Sequence, residues 1–578
     1  MITTASEQPI PQVSFLVADC GATNTTVVLF DVVEGVYRLI ARATAPTTVA
    51  SPWSDVVLGL RQAITHISQR TGRPLLNERG TIIKPTRRDG SGVDHFVAVA
   101  SAASPLRTLL VGLFDDASIK SARRALATSY TQVIDCFSLS DRRSERAQVA
   151  ALIEKQPDLI FLTGGTDGGA EKRLLEMAEM VNLGLGALAD TKRPQVVFAG
   201  NRQLRQQVSA LIGDQAVVRV ADNVRPAQET EQIDDAAEVI NRLYQDVKLK
   251  SLPGIHEVNE WSNQLPTPTA RAFADIVAYF AALHQGRVLG VDLGSNSVTL
   301  VTATVDSVNL AVRTNLGMGQ PIVNLLDKIE PAAIARWLPH ESGQEEIRDF
   351  IVNKSVHPQT IPMTEAELRL EHAIARQVIC QAAAEAAADA DRAGQDQASS
   401  FRLLLARGAT LANAPRPAQT LLILLDALQP TGIFSVALDR YGLLPALGTL
   451  ARQEPLAAVQ ALEAGSLLDL GWVVVPTGPG HSGQEVLNVT VNSGALKVDV
   501  SYGEIAVVKL GTTQPVEIAL QPARRFDIGF GPGQGKTVTL RQGAVGLVVD
   551  ARGRPLSLPE DESTRRNQVR QWLWDMGA

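Results

Sequence analysis

The sequence predicts an α/β protein of duplicated design, with a doubly wound parallel insertion inside the first half and an all-β stretch at the end. Three observations predict it. Val13 to Val32 (VSFLVADCGATNTTVVLFDV) and Gly286 to Val305 (GRVLGVDLGSNSVTLVTATV) share one pattern: an apolar run, an Asp-x-Gly turn with small polar residues, and a second apolar run. From Pro105 to about Asn223, apolar strands alternate strictly with amphipathic helices, as in a parallel sheet covered on both faces. From about Leu467, short alternating segments are separated by Gly, Pro and Asn turns, as in a β-sandwich or barrel. The expected domains are 1–104, a first half with its turn; 105–250, the insertion; 251–465, the second half; and 466–578, the β region with a closing helix.

Bulk composition agrees and excludes several classes. At 578 residues the chain exceeds one ordinary domain, and 45 % hydrophobic with 20 % charged residues describes a globular protein with ample core. Aromatic residues are only 4 %, so the core relies on Val, Leu, Ile and Ala. A formal net charge of −7 argues against a general nucleic-acid binder. Cys20, Cys136 and Cys380 are scattered, with no CxxC pair, so neither a disulfide framework nor a zinc site is indicated and a reduced cytoplasm fits. MITTASEQPIPQ lacks the basic and apolar regions of a signal peptide and reads as a disordered lead. No apolar run approaches the ~20 residues of a membrane helix.

In each hairpin the apolar runs supply two strands of a buried sheet, and the Gly lets the turn fold back closely enough for backbone N–H groups to face an anion. A single such turn is a common structural corner. Two at equivalent points, Asp19-Cys20-Gly21 and Asp292-Leu293-Gly294, point to a phosphate cradle repeated in two halves. After the first hairpin, Tyr37 to Thr47 continues as strand and turn, Trp53 to Thr71 has the apolar spacing of an amphipathic helix, and His95 to Ser104 reads as another buried strand. In the insertion, LRTLLVGLF, VIDCFSL, DLIFLTGG, QVVFAGN and VVRVADN read as strands. The turn Gly164-Gly165-Thr166-Asp167-Gly168-Gly169 follows the third and opens a helix, which makes it a candidate anion or ligand turn. Asp167 would repel a bare phosphate; it could instead cap the helix or hold a metal or a hydroxyl, and a plain strand-to-helix turn explains the motif equally well.

Val224 to Gln245 and Thr267 to Gln285 read as helices before the second hairpin. TNLGMGQP (Thr314 to Pro321) is a Gly-rich loop that shapes either a cleft or only a turn. Thr364 with Glu367 predicts a capped helix running to about Asp391, with His372 and Cys380 as packing residues inside it. Ala393 to Ser400 is a polar break, and Phe401 to Asn413 reads as strand, Gly turn and helix. GQGKT near Lys536 imitates a phosphate-binding P-loop, but Phe530 occupies the position of its first Gly and a strand, not a helix, follows.

These residues carry a resemblance. The two Asp-x-Gly hairpins resemble those of the actin-like ATPase superfamily, whose fold is ribonuclease H-like. LTGGTDGG (Leu162 to Gly169), FAGNRQ (Phe198 to Gln203), DNVRP (Asp222 to Pro226), TNLGMG (Thr314 to Gly319), RWLP (Arg336 to Pro339) and NKSVHP (Asn353 to Pro358) narrow it to the glutamate mutase accessory protein family, called MutL or GlmL, over roughly residues 13 to 460. The resemblance implies actin-like halves with a Rossmann-like insertion, closing on ATP and Mg²⁺ and acting on another protein, such as a cobalamin-dependent mutase that the factor assembles or reactivates. It assigns Asp19 to the metal, with Gly21, Ala22, Thr23 and Asn24 along the phosphates. Asp292, also a metal candidate, with Gly294, Ser295 and Asn296 forms the second turn, and Gly408, Ala409 and Thr410 face the adenosine.

Two departures bear on hydrolysis more than on fold. Ser295 stands where the second turn usually has another Gly and the trailing Asp is absent, and the turn at Gly408 lacks the usual denser Gly pair. The alternatives that stay open are a small-molecule kinase of the same fold and a degenerate, nucleotide-free scaffold. Catalytic residues, ATP hydrolysis and oligomeric state are not legible in the sequence.

Overall fold

The computed structural model describes residues 13–390, 401–494, 496–512 and 514–578. The N-terminal lead and the polar stretch Ala393–Ser400 lie outside them. The chain divides into two compact units, one of Met1–Ala103, Leu249–Tyr279 and Asp439–Leu468, the other of Ser104–Lys248, Phe280–Leu438 and Asp469–Ala578.

The first unit is built on a five-stranded sheet. All six residues of β1 (Phe15–Cys20) are buried, as a central strand with both faces covered requires. β2 (Asn24–Val33) runs antiparallel to it, with Phe15 opposite Phe30 and Cys20 opposite Thr25. β3 (Val36–Pro46) continues the antiparallel meander through a bulge at Leu29/Phe30. On the other side of β1, β4 (His95–Ala100) and then the short Thr267–Pro268 strand add in parallel. The helix Val56–Thr71 packs on β2 and β3 with Leu60, Ala63, Ile64 and Ile67 buried at three-four spacing. Its N-terminus is capped by the Asp55 carboxylate, which accepts from Val57 N–H at 2.8 Å.

The second unit holds three sheets. Between Ser104 and Lys248, β5 (Leu106–Val111), β6 (Thr131–Phe137), β7 (Leu159–Leu162), β8 (Gln195–Phe198) and β9 (Val218–Val220) are all parallel, in spatial order β6-β5-β7-β8-β9. Strand order reverses between β5 and β7, so the crevice at their carboxyl ends is the switch point of a doubly wound sheet. Leu109, Val111, Ile160, Leu162, Val196 and Phe198 from its strands pack with Leu174, Ala178 and Val181 of the helix Glu171–Gly186. The helix expected from Val224 instead begins at Asp234. Pro226 lacks an N–H, and Val224 N–H is committed to Ala199 O at 3.1 Å, so this stretch runs as a loop.

After the helix Thr269–His284, which crosses the division between the units, comes an eight-stranded sheet. With Val288–Leu293, Val298–Ala303, Val308–Arg313, Leu403–Arg407 and Gly432–Leu438 labelled β10 to β14, its first five strands lie in the order β12-β11-β10-β13-β14. β10 to β12 form an antiparallel meander, and β13 and β14 add in parallel. This repeats the order and senses of the first sheet.

The chain beyond residue 466 divides its strands. Leu468–Val475, Gly546–Asp550 and Ile505–Val508 extend the eight-stranded sheet beyond β14. Glu485–Val491, Leu496–Ser501, Val516–Pro522 and Lys536–Leu540 form a separate antiparallel sheet. The two share one core, with Val474, Leu547 and Val549 against Val489, Ile518 and Leu520. A buried chain of charges ties this region to the helices before it. Arg376 pairs with Asp426 at 2.7 Å, Asp426 with Arg552 at 2.8 Å, Arg552 with Asp550 at 2.8 Å, and Asp550 with Arg554 at 2.6 Å.

Candidate functional site

In the first unit, β1 ends at the predicted turn. Asp19 is 8 % exposed, and its Oδ1 accepts from Thr269 Oγ1 at 3.2 Å, one donor that a buried carboxylate needs. Gly21 N–H donates to Asn24 O at 3.1 Å, closing the turn so tightly that a Cβ on Gly21 would stand 2.8 Å from that oxygen. Ala22 and Thr23 are half-buried and Asn24 is exposed. Thr47, just past β3, braces the turn: its N–H donates to Thr23 O at 2.9 Å and its hydroxyl to Gly21 O at 2.8 Å. Cys20 between them is inert as a nucleophile, since burial and then the Asp19 charge push its thiol up to about 12.

The second unit repeats this geometry. Leu293 and Val298 are the last paired residues of the hairpin, so four residues form the turn, as between Cys20 and Thr25. Gly294 N–H donates to Ser297 O at 3.0 Å, and a Cβ on Gly294 would stand 2.8 Å from that oxygen. Ser295 is half-buried and Asn296 exposed. The brace again follows the third strand: Met318 N–H donates to Gly294 O at 3.0 Å and Gly319 N–H to Ser295 O at 2.7 Å. A Cβ on Gly317 would stand 2.4 Å from Ser295 O, so the TNLGMG loop has its glycines where it wraps the turn. The Asp292 carboxylate lies 3.2 Å from Arg407 NH1, the last residue of β13. Gly408 follows at φ 120°, where a Cβ would stand 2.1 Å from Leu293 O, so the third predicted turn sits directly beside the second. Ala409 opens a four-residue helix, and the Thr410 hydroxyl donates to Glu371 Oε1 at 3.3 Å.

The turn Gly164–Gly169 lies elsewhere, at the carboxyl end of β7 on the switch point of the parallel sheet. Gly164, Gly165 and Gly168 have φ of 133°, 70° and 81°. Asp167 does not cap the helix it precedes, whose N-cap is Ala170. Its Oδ1 accepts instead from Arg202 N–H at 2.9 Å and Asn223 Nδ2 at 3.0 Å. Burial pushes this carboxyl up, but those donors and the Arg202 and Arg205 charges outweigh it and hold it below the usual range. Asn201 Oδ1 accepts from Gly168 N–H at 3.1 Å, its Nδ2 donates to Gly169 O at 2.6 Å, and Asn223 Nδ2 also donates to Gly165 O at 3.0 Å. LTGGTDGG, FAGNRQ and DNVRP therefore form one knot.

The sequence reading missed Thr47, Thr269 and Arg407, whose roles depend on packing. Arg407 had one signal, a charge at the end of the apolar run LLLAR. Asn201 and Asn223 lay inside motifs already singled out, unassigned. For a nucleotide with Mg²⁺ the donor set fits in part: Asp19 is a carboxylate beside a closed Gly turn, whereas Asp292 is charge-compensated by Arg407. A hydrated Mg²⁺ needs only one or two carboxylates. Among the described residues no group of three or more His, Cys, Asp or Glu could hold a metal, and no helix is long and apolar enough to cross a membrane.

The family model described as MutL protein matches residues 15–465. A protein MutL of Clostridium tetanomorphum is 23 % identical over 385 residues, which covers 63 % of this chain and 76 % of that one. Nucleotide-free acetone carboxylase, at 12 % identity, covers 85 % of this chain and 81 % of its own with a TM-score of 0.35. Component A of the Acidaminococcus fermentans (R)-2-hydroxyglutaryl-CoA dehydratase, at 9 % identity, covers 78 % and 98 % with a TM-score of 0.26. The fold is defined by its strand order and register.

Proposed function

The chain belongs to the MutL protein family, and on that premise we propose that it is an ATP-binding accessory protein acting on a protein partner, a cobalamin-dependent mutase such as glutamate mutase, in the cytoplasm. The observation that carries the nucleotide reading is the repetition of one braced, four-residue Gly turn on two sheets of the same strand order and senses. We read those sheets as the two actin-like halves, and the doubly wound sheet as the Rossmann-like insertion.

In this reading the first turn, closed by Gly21, takes phosphate oxygens through Ala22, Thr23 and Asn24, and the second, closed by Gly294, through Ser295 and Asn296. Gly408, Ala409 and Thr410 face the adenosine. Asp19 and Asp292 are the two candidate Mg²⁺ residues, and Arg407 beside Asp292 already supplies that carboxylate with a positive partner. When bound, Mg²⁺ neutralises phosphate charge; the chain's own part is to hold the Asp19 carboxylate through Thr269 and to fix the turns through Thr47, Met318 and Gly319. The Asp292–Arg407 pair also favours a binder over a fast hydrolase, since it leaves the second turn without a free acidic group. Asp167 and its knot hold three loops together in the insertion and are assigned no ligand.

The test is calorimetric titration of ATP and ADP with Mg²⁺ into the wild type and Asp19→Asn. Saturable binding weakened about tenfold by the substitution, ~1.4 kcal/mol, is expected. Wild-type protein that binds nothing up to about millimolar nucleotide, ~4.1 kcal/mol on the same scale, would sink the reading and leave a scaffold.

A further inference from the structure

The segment that begins at Val356, the last residue of the helix Gln344–Val356, is unusual in exposing apolar side chains: Val356 is 65 %, Ile361 74 % and Met363 81 % exposed. It is also fastened at two points to the candidate nucleotide turns of its own unit. The first fastening runs through buried charge. Lys354 and Glu371 are each 6 % exposed and pair at 3.2 Å. Lys354 Nζ also donates to Thr360 O at 2.5 Å, and Glu371 uses its other oxygen to accept from Thr410 at 3.3 Å. The second is steric. A Cβ on Gly319 would stand 3.1 Å from Pro358 Cβ, and Gly319 is the residue whose N–H holds Ser295 O at 2.7 Å.

We propose that the Val356–Met363 loop is a conformational reporter of nucleotide in the second unit, with Lys354 and Glu371 as positioning residues that transmit the state of Thr410 to Thr360. The proposal rests on the nucleotide reading of the Gly294 and Gly408 turns. The physical reason is that a buried ion pair cannot relax into water when one neighbour moves. If a ribose or base draws the Thr410 hydroxyl away, Glu371 loses a hydrogen-bond donor and re-centres on Lys354, whose hold on the Thr360 carbonyl changes with it. Because the loop is exposed and apolar, its stability lies at the low end of the molecule, where a small bias changes its opening. By linkage, whatever engages the loop must alter nucleotide affinity by the same factor.

The experiment is amide hydrogen exchange of residues 356–363 in the full chain, with and without ATP and Mg²⁺, alongside calorimetry on the same samples. In the wild type, saturating nucleotide is expected to change loop exchange by about threefold or more, ~0.6 kcal/mol or larger in opening free energy. Lys354→Met, and the charge-free pair Lys354→Met with Glu371→Leu, which leaves no buried lone charge, should lose that response while ATP affinity moves by less than about tenfold. Nucleotide that binds without changing loop exchange in the wild type overturns the coupling alone. So does a response of full size in the double variant. Absence of nucleotide binding overturns the reading of the turns and the coupling with it.

Discussion

The buried charge chain makes an asymmetric prediction. It holds three guanidinium groups, Arg376, Arg552 and Arg554, against two carboxylates, Asp426 and Asp550, with every side chain at most 7 % exposed. Arg552→Met leaves two balanced pairs, Arg376 with Asp426 and Arg554 with Asp550. Asp550→Asn leaves three cations facing one carboxylate. The first change forfeits the fork of Arg552 Nε and NH2 on Asp550, at 2.8 and 2.9 Å, its pairing with Asp426 at 2.8 Å, and its stacking 4.8 Å from the Trp572 ring centroid, but it also relieves the desolvation of a charge. We expect a cost of about 1–2 kcal/mol, the scale of a cation–π contact and a hydrogen bond. The second strands buried charge and should cost about 3–5 kcal/mol. Amide exchange of Gly546–Asp550 reads the difference where it arises, since that strand carries Asp550. The reasoning is refuted if Arg552→Met loosens the strand as much as Asp550→Asn does. The pH dependence has a fixed sign. Burial pushes the Asp550 carboxyl up, but Arg552 and Arg554 hold it far below the usual range, so its contribution is full above the unfolded pKa of about 3.9 and is lost as pH falls toward the folded value. The gap between wild type and Asp550→Asn should therefore be flat from neutral pH to about 5 and close below about 4.

Three further outcomes follow from the turns. Gly408→Ala meets Leu293 O at 2.1 Å in a left-handed backbone and should cost more stability than Gly294→Ala, where the contact is 2.8 Å; denaturation midpoints compared side by side check the order, and equal costs contradict it. Asp167→Ala removes the acceptor shared by Arg202 and Asn223 and should loosen the 164–169, 201–203 and 222–226 segments together by ~1–2 kcal/mol in exchange, while 294–297 is unchanged; loosening confined to 164–169 would contradict the knot. Cys20, pushed up to about 12, should resist alkylation at pH 8 in the native protein and react once unfolded, as mapped by mass spectrometry; rapid native labelling would show the turn to be open.

The sequence alone determined where strands and turns begin, because those features are local. β1 is apolar from Phe15 to Ala18, the turn must bend at Gly21, and Thr364 with Glu367 forms the capping box read from the chain. It also determined that the two hairpins match, since similar residues at similar spacing fold to the same register. What it left open was every choice that depends on a distant partner. TNLGMG proved to brace the second turn because Ser295, some twenty residues earlier in the chain, offers the carbonyl. Asp167 proved to tie loops because Arg202 and Asn223 come to it, whereas from the sequence a helix cap or a metal ligand looked equally suitable. The late strands alternate like an independent β domain, yet three of them extend the eight-stranded sheet that begins with the second hairpin. Alternation reports which side of a strand is buried but not which strand lies beside it, and only the folded chain, by closing those long loops, decides that.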